Sequence, residues 1–145
     1  MITEAYIYLD TTLPDEGVWD DNDWIEYPGQ VVAAALSEIL RDLGCKVDPL
    51  YSEGEKGWEF TYSIERVPMW ARIGAIEDFL IALGLLGLLD LTGRKRRAFL
   101  NLLRRLNETL KVDPRFSHIR WYTKKQMDAG DWDYPGKDGA QADPA

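Results

Sequence analysis

Between residues 20 and 26 the chain reads Asp20-Asp21-Asn22-Asp23-Trp24-Ile25-Glu26, a cluster of oxygen donors of the kind that holds calcium or magnesium. The spacing does not support that use. A calcium loop of the EF-hand type takes ligands at alternate positions and then a glycine, whereas the alternate positions after Asp21 are Asp23 and Ile25, and no glycine follows before Gly29. His118 is the one histidine and Cys45 the one cysteine, which excludes a metal site with two histidines, a multi-cysteine zinc site and an intramolecular disulfide. Acid–base work near neutral pH would fall to His118 or to a perturbed carboxylate. His118 alternates with Ile119 and Trp121 in an expected strand and reads as a surface or edge-strand residue. Cys45 follows Gly44 at the end of an expected helix, where the dipole raises a thiol's pKa, and reads as inert. Glycine-rich phosphate loops, a Ser-His-Asp arrangement and metalloprotease helices do not occur. No catalytic residue, metal or cofactor is expected.

The acidic cluster belongs to a larger pattern. Asp10 to Glu26 carries seven carboxylates and no basic residue, while Thr92 to Lys125 carries eleven Lys or Arg against two acids. Charge separated in this way builds opposed surfaces that steer encounter and reject wrong partners without any catalytic group. Asp15, Glu16, Asp20, Asp21, Asp23 and Glu26, with the interleaved Trp19 and Trp24, form the candidate partner-binding set, because binding hot spots combine an aromatic anchor with desolvated charge. Arg94-Lys95-Arg96-Arg97 is the possible second surface. These cations open a helix, where they oppose the macrodipole, so they imply either a function or an internal neutraliser, and the acidic segment is the obvious candidate for the latter. The net charge of −8 disfavours whole-protein affinity for nucleic acid or anionic membrane and favours basic partners.

The elements that must position these residues follow from periodicity. Tyr6 to Leu9 reads as a strand, and the long polar segment to Gly29 reads as an ordered acidic flap anchored by Trp19, Trp24 and Tyr27. Val31, Val32, Ala35, Leu36, Ile39, Leu40 and Leu43 recur at helical spacing, and Gly44 stands where a left-handed cap is wanted. Trp58, Phe60, Tyr62 and Ile64 alternate with polar residues after a turn at Gly54 to Gly57, which makes a hairpin with one aromatic face inside. Trp70 to Ile73 and Phe79 to Leu83 read as two strands turning at Glu77-Asp78, or the second as the start of a buried helix; Gly74, Gly84 and Gly87 favour strands. Phe99, Leu102, Leu103, Leu106 and Leu110 form the stripe of a second helix ending before Pro114, and Phe116 to Thr123 reads as a last strand. The expected core includes Val32, Leu36, Ile39, Leu40, Trp58, Phe60, Tyr62, Phe99, Leu103 and Leu106.

That order predicts an α+β domain over 1–128, with two helices on one face of a mainly antiparallel sheet in a ferredoxin-like or extended split-βαβ topology, and a flexible acidic tail over 129–145. The longest uncharged apolar run, Phe79 to Leu89, is eleven residues, against the roughly 20 a spanning helix needs. The start lacks the pattern of a secretory signal, and a cytoplasmic, reducing location is expected.

A small, acidic, Trp-rich α+β chain with strands Trp58-Glu59-Phe60, Trp70-Ala71-Arg72-Ile73 and Phe116-Ser117-His118-Ile119-Arg120-Trp121-Tyr122 resembles the small immunity proteins that accompany bacterial polymorphic toxins. The resemblance implies a non-enzymatic inhibitor of a cognate toxin. Its acidic flap would fill a basic, often nuclease, active site and mimic phosphate charge. Two alternatives share the composition: a phage-type inhibitor or adaptor acting by nucleic-acid mimicry, and a small enzyme using the flap carboxylates on a cationic substrate.

Overall fold

Apolar residues at every second position of five segments, among them Ile7 and Leu9, Phe60 and Tyr62, Met69 and Ile73, Ile81 and Leu83, and Trp121, are buried together with two helical stripes in one cluster. The computed structural model describes residues 3–75, 79–87, 89–129 and 143–144. In chain order the elements are β1 (Glu4–Thr11), β2 (Val18–Trp19), β3 (Trp24–Glu26), α1 (Gln30–Asp42), β4 (Lys46–Val47), β5 (Tyr51–Ser52), β6 (Trp58–Ile64), β7 (Val67–Ala75), β8 (Phe79–Leu85), α2 (Arg94–Val112), β9 (Phe116–Thr123) and α3 (Lys124–Asp128). A single 3₁₀ turn, Gly54–Lys56, joins β5 to β6. The fold is α+β. Residues 79–85 form a strand, and the expected turn at Glu77-Asp78 lies outside the described residues.

Among the described residues the main sheet has seven strands in the order β4-β6-β7-β8-β1-β9, with β5 also pairing β6, and every pairing is antiparallel. Since β8 and β9 both run against the β1 strand between them, they are parallel to each other, and α2 connects them as a split βαβ unit. β4 and β1 also run the same way, but three strands lie between them. A ferredoxin-like sheet would place one strand inside each of two such crossovers; this sheet has that interval only around β1.

Helix α1 ends as its glycine dictates. Gly44 takes φ 101°, its N–H donates to the Arg41 carbonyl at 2.9 Å, and the Cys45 N–H donates to the Leu40 carbonyl at 2.9 Å. That pair of bonds is the Schellman arrangement, which satisfies carbonyls the helix would leave free. On the sheet face away from the core, the Trp70 indole packs against Gly84, where an added Cβ would collide with the ring atoms Cε2, Cζ2 and Nε1. Glycine is therefore required inside β8 because a neighbouring ring uses its space. Of the expected core, all residues are buried except Trp58, which is half-buried because its indole N–H reaches out to the Tyr27 carbonyl at 3.2 Å.

The chain end is tied to α2 by polar contacts. Residues 130–142, on which most of the expected tail falls, lie outside the described set. Asp143 accepts from Asn107 Nδ2 at 2.9 Å and Lys111 Nζ at 2.7 Å, and Asn107 Oδ1 accepts from the buried Trp121 indole at 2.9 Å.

Leu103 is fully buried on the inner face of α2. Leu103→Ala is expected to cost about 2 to 5 kcal/mol, by lost transfer energy plus the cavity left behind. A fall in the urea midpoint at unchanged slope checks this.

Candidate functional site

Helix α1 begins without a capping side chain, since its N-cap position is Gly29. The first-turn N–H groups need an acceptor from elsewhere. Asp15 supplies it from fourteen residues upstream: Oδ1 accepts from the Gly29 N–H at 2.8 Å and, from further on, Oδ2 accepts from the Val32 N–H at 2.9 Å. Its negative charge also complements the positive end of the helix dipole. Asp15 is buried, and both oxygens of its carboxylate are engaged at the helix start rather than presented at the hairpin tip. The physical reason is that an unsatisfied helix start attracts the nearest carboxylate that the loop can deliver.

With its base fixed in this way, the acidic flap forms a small hairpin. Val18 pairs Glu26 and Trp19 pairs Trp24. At the tip, Asp20 Oδ1 accepts from the Asn22 and Asp23 N–H groups at 2.8 Å each, and these bonds hold its carboxyl below the usual carboxylate range. Asp23 Oδ1 accepts from the Trp24 N–H at 2.7 Å. Trp19 meets Trp24 edge-on, with centroids 4.9 Å apart, and Trp24 lies 5.8 Å from the Tyr27 ring. The Trp58 bond to the Tyr27 carbonyl moors the other end of the hairpin to β6.

What the hairpin offers is apolar and acidic at once. Trp19 is 57% and Ile25 67% exposed, although rings and aliphatics of this size are normally buried. Glu16, Asp20, Asp21 and Asp23 are exposed around them, and Trp24 and Glu26 are half-buried. Behind the hairpin an open cavity of about 350 Å³ is lined by Glu16, Val18, Glu26, Tyr27 and Val31 among others. Among the described residues no group of three or more His, Cys, Asp or Glu is placed to hold a metal ion.

The cations of α2 are not neutralised by the flap. The hairpin stands where β6 begins, at Trp58, whereas Arg94 donates to the Glu65 carbonyl at 2.6 Å, beyond the other end of the same strand. Six residue steps of about 3.3 Å, roughly 20 Å, separate those ends. The neutraliser is Asp90, whose carboxylate accepts from the Lys95 and Arg96 N–H groups at 3.1 and 3.2 Å and from Arg96 Nε at 3.0 Å. Desolvation pushes this carboxyl up, but those bonds outweigh it and leave the pKa lowered. Arg97 Nη1 donates to the Thr92 carbonyl at 2.9 Å. Arg94 and Arg97 are exposed, and Lys95 and Arg96 half-buried.

His118 lies on β9, the outermost strand, at a bulge where it takes φ 51° and brings Nδ1 to 3.5 Å from Asp10 Oδ2. Cys45 is buried, and that burial pushes its thiol up to about 11 although Arg105 opposes the shift. Sequence periodicity could not reveal the capping roles of Asp15 and Asp90, because both act on helices that start several residues downstream. Their signal was negative: each helix has a glycine at its N-cap and no acid in its first turn. Comparison with known proteins finds no match, whether among protein families, curated proteins or solved structures.

Asp15→Ala is expected to cost about 1 to 3 kcal/mol by stripping two N–H groups of their acceptor, whereas Asp21→Asn stays within about 0.5 kcal/mol, both read from urea midpoints. Asp90 sets a pH dependence. Its folded pKa is below its unfolded one, so its contribution is complete above the ordinary value of about 3.9 and is lost as pH falls through the lower folded value. An acid titration of stability should therefore be flatter below about pH 4 for Asp90→Asn than for wild type.

Proposed function

We propose that the chain is a non-enzymatic, cytoplasmic inhibitor of the immunity-protein kind, which neutralises a bacterial toxin by placing the acidic hairpin in a basic cleft. The observation that carries the reading is the exposed Trp19, packed edge-on against Trp24 and set among carboxylates that are free of ion pairs among the described residues. A ring left in water beside unpaired charge is poorly used within the monomer. Both gain when a complementary surface covers them, because hot spots pair a desolvated aromatic with charge that finds its partner.

The hairpin is pre-organised for such a role. Asp15 and Trp58 hold its base and Asp20 closes its tip, so little ordering entropy remains to be lost on binding. Exposed Glu16, Asp21 and Asp23 set a negative field ahead of the ring, which speeds encounter with a cationic site and mimics the charge of a nucleic-acid backbone. No helix among the described residues is long and apolar enough to cross a membrane, and the partner proposed is a protein.

The test is capture of the partner with tagged protein, followed by titration with wild type and with the variant carrying Asp20→Asn, Asp21→Asn, Asp23→Asn and Glu26→Gln. Affinity should fall with that variant while the fold survives, association should slow steeply with salt, and Trp19→Ala should cost on the order of 2 kcal/mol of binding. Equal affinity of both proteins and salt-insensitive association would overturn the reading.

A further inference from the structure

The end of the sheet opposite the hairpin exposes its own apolar residues beside charge of the other sign. In the segment between β8 and α2, Leu86, Leu89 and Leu91 are 38%, 68% and 89% exposed. Arg94, Lys95 and Arg97 follow at the start of α2, and Arg94's bond to the Glu65 carbonyl brings in the β6–β7 turn, where Glu65 and Arg66 are both exposed. Arg94 and Arg97 donate to main-chain carbonyls rather than to carboxylates, so their charge stays uncompensated among the described residues. The Lys95 and Arg96 N–H groups at the start of α2 are already taken by Asp90, so what this pole offers is the leucines and the cations.

The molecule thus carries two poles that are complementary to each other and cannot meet within one copy. One presents Val18, Trp19 and Ile25 among carboxylates, the other Leu86, Leu89 and Leu91 among guanidinium and ammonium groups. We infer that the basic, leucine-bearing pole docks the acidic, Trp-bearing hairpin of a second copy, head to tail. The net charge of −8 does not forbid this contact. At physiological ionic strength screening acts beyond about 8 Å, less than half the roughly 20 Å between the poles, so each pole is felt with its local sign. Because the interface is heterologous and its two halves lie at opposite ends, a bound pair still presents one free pole of each kind and can extend. Association covers the hairpin, so a toxin must displace the neighbouring copy to reach it.

The inference uses the hairpin of the proposed function but not its toxin, and the two fail separately: loss of partner capture leaves self-association to be measured by itself. Sedimentation of the full chain at physiological ionic strength should show a weight-average mass that rises above the monomer with concentration. Leu91→Ser, at a position too exposed to disturb the core, should weaken association about three- to tenfold. Two charge-reversed proteins decide the geometry, one with Arg94→Glu, Lys95→Glu and Arg97→Glu, the other with Glu16→Lys and Asp21→Lys. Each should remain monomeric alone, with its fold checked by the urea midpoint, and an equimolar mixture should associate again. A wild type that stays monomeric at the highest attainable concentration overturns the inference. So does a mixture that stays monomeric, or a basic pole that instead binds anionic vesicles or nucleic acid in preference to a second copy.

Discussion

The two hydrogen bonds that the Asp15 carboxylate accepts from the start of α1 are the contact on which the rest of the arrangement depends. A helix start leaves about four N–H groups without partners, and Gly29, with no side chain, can satisfy none of them. By reaching across the loop, Asp15 settles where α1 begins, and with it which residues of α1 face the sheet: Val32, Leu36, Ile39 and Leu40 fall inward from that point at helical spacing. The same carboxylate fixes the exit of the segment after β1. The chain between Asp15 and Gly29 then has both ends secured, and between them it folds back on itself as β2 and β3. An acid in this stretch that composition counts as surface charge is a structural bond, and its engagement is what leaves Glu16, Asp21 and Asp23 free to face solvent.

How much of this was legible follows from the range of each interaction. Period-two and period-3.6 patterns are local, so Phe60 with Tyr62, and Leu36 with Leu40, declared their buried faces without knowledge of their neighbours. Gly44 was equally readable, since its cap closes on Leu40 and Arg41 within one turn. Illegible residues act across the chain. Asp15 and Asp90 cap helices they do not belong to, Asn107 joins Trp121 to Asp143, and β1 lies between β8 and β9, strands that come some seventy or more residues later in the chain. Charge segregation lay between these cases: the two runs of opposite sign were visible in the chain, but whether they would meet was a question of topology. The sheet puts the hairpin and Arg94 to Arg97 at its two ends, where Asp90 takes the neutralising role beside the cations, while Asp10 of the acidic run comes within 3.5 Å of His118 and 4.0 Å of Arg120 on β9.

That separation is not a simple product of helix dipoles. Helix α1 runs from the hairpin end, where Asp15 meets its positive terminus, to the other end, where Arg105 donates to the Leu43 carbonyl at 2.8 Å. Its dipole agrees with the charge at both poles. Helix α2 runs the opposite way, starting among Arg94 to Arg97 and ending near β9, so its dipole opposes the cations at its start. If helix stability alone had set these residues, acids would stand at positions 94 to 97. Asp90 offsets the conflict at Lys95 and Arg96, where its carboxylate meets two backbone N–H groups and one guanidinium, but Arg94 and Arg97 lie beyond its reach and bond only carbonyls. These arginines stand where the backbone disfavours them and pair no acid among the described residues; Arg94 ties the start of α2 to the β6–β7 turn, and Arg97 closes on the Thr92 carbonyl. Under the proposed contacts, these exposed cations at one end and the exposed Trp19 at the other are the groups that a covering surface would engage.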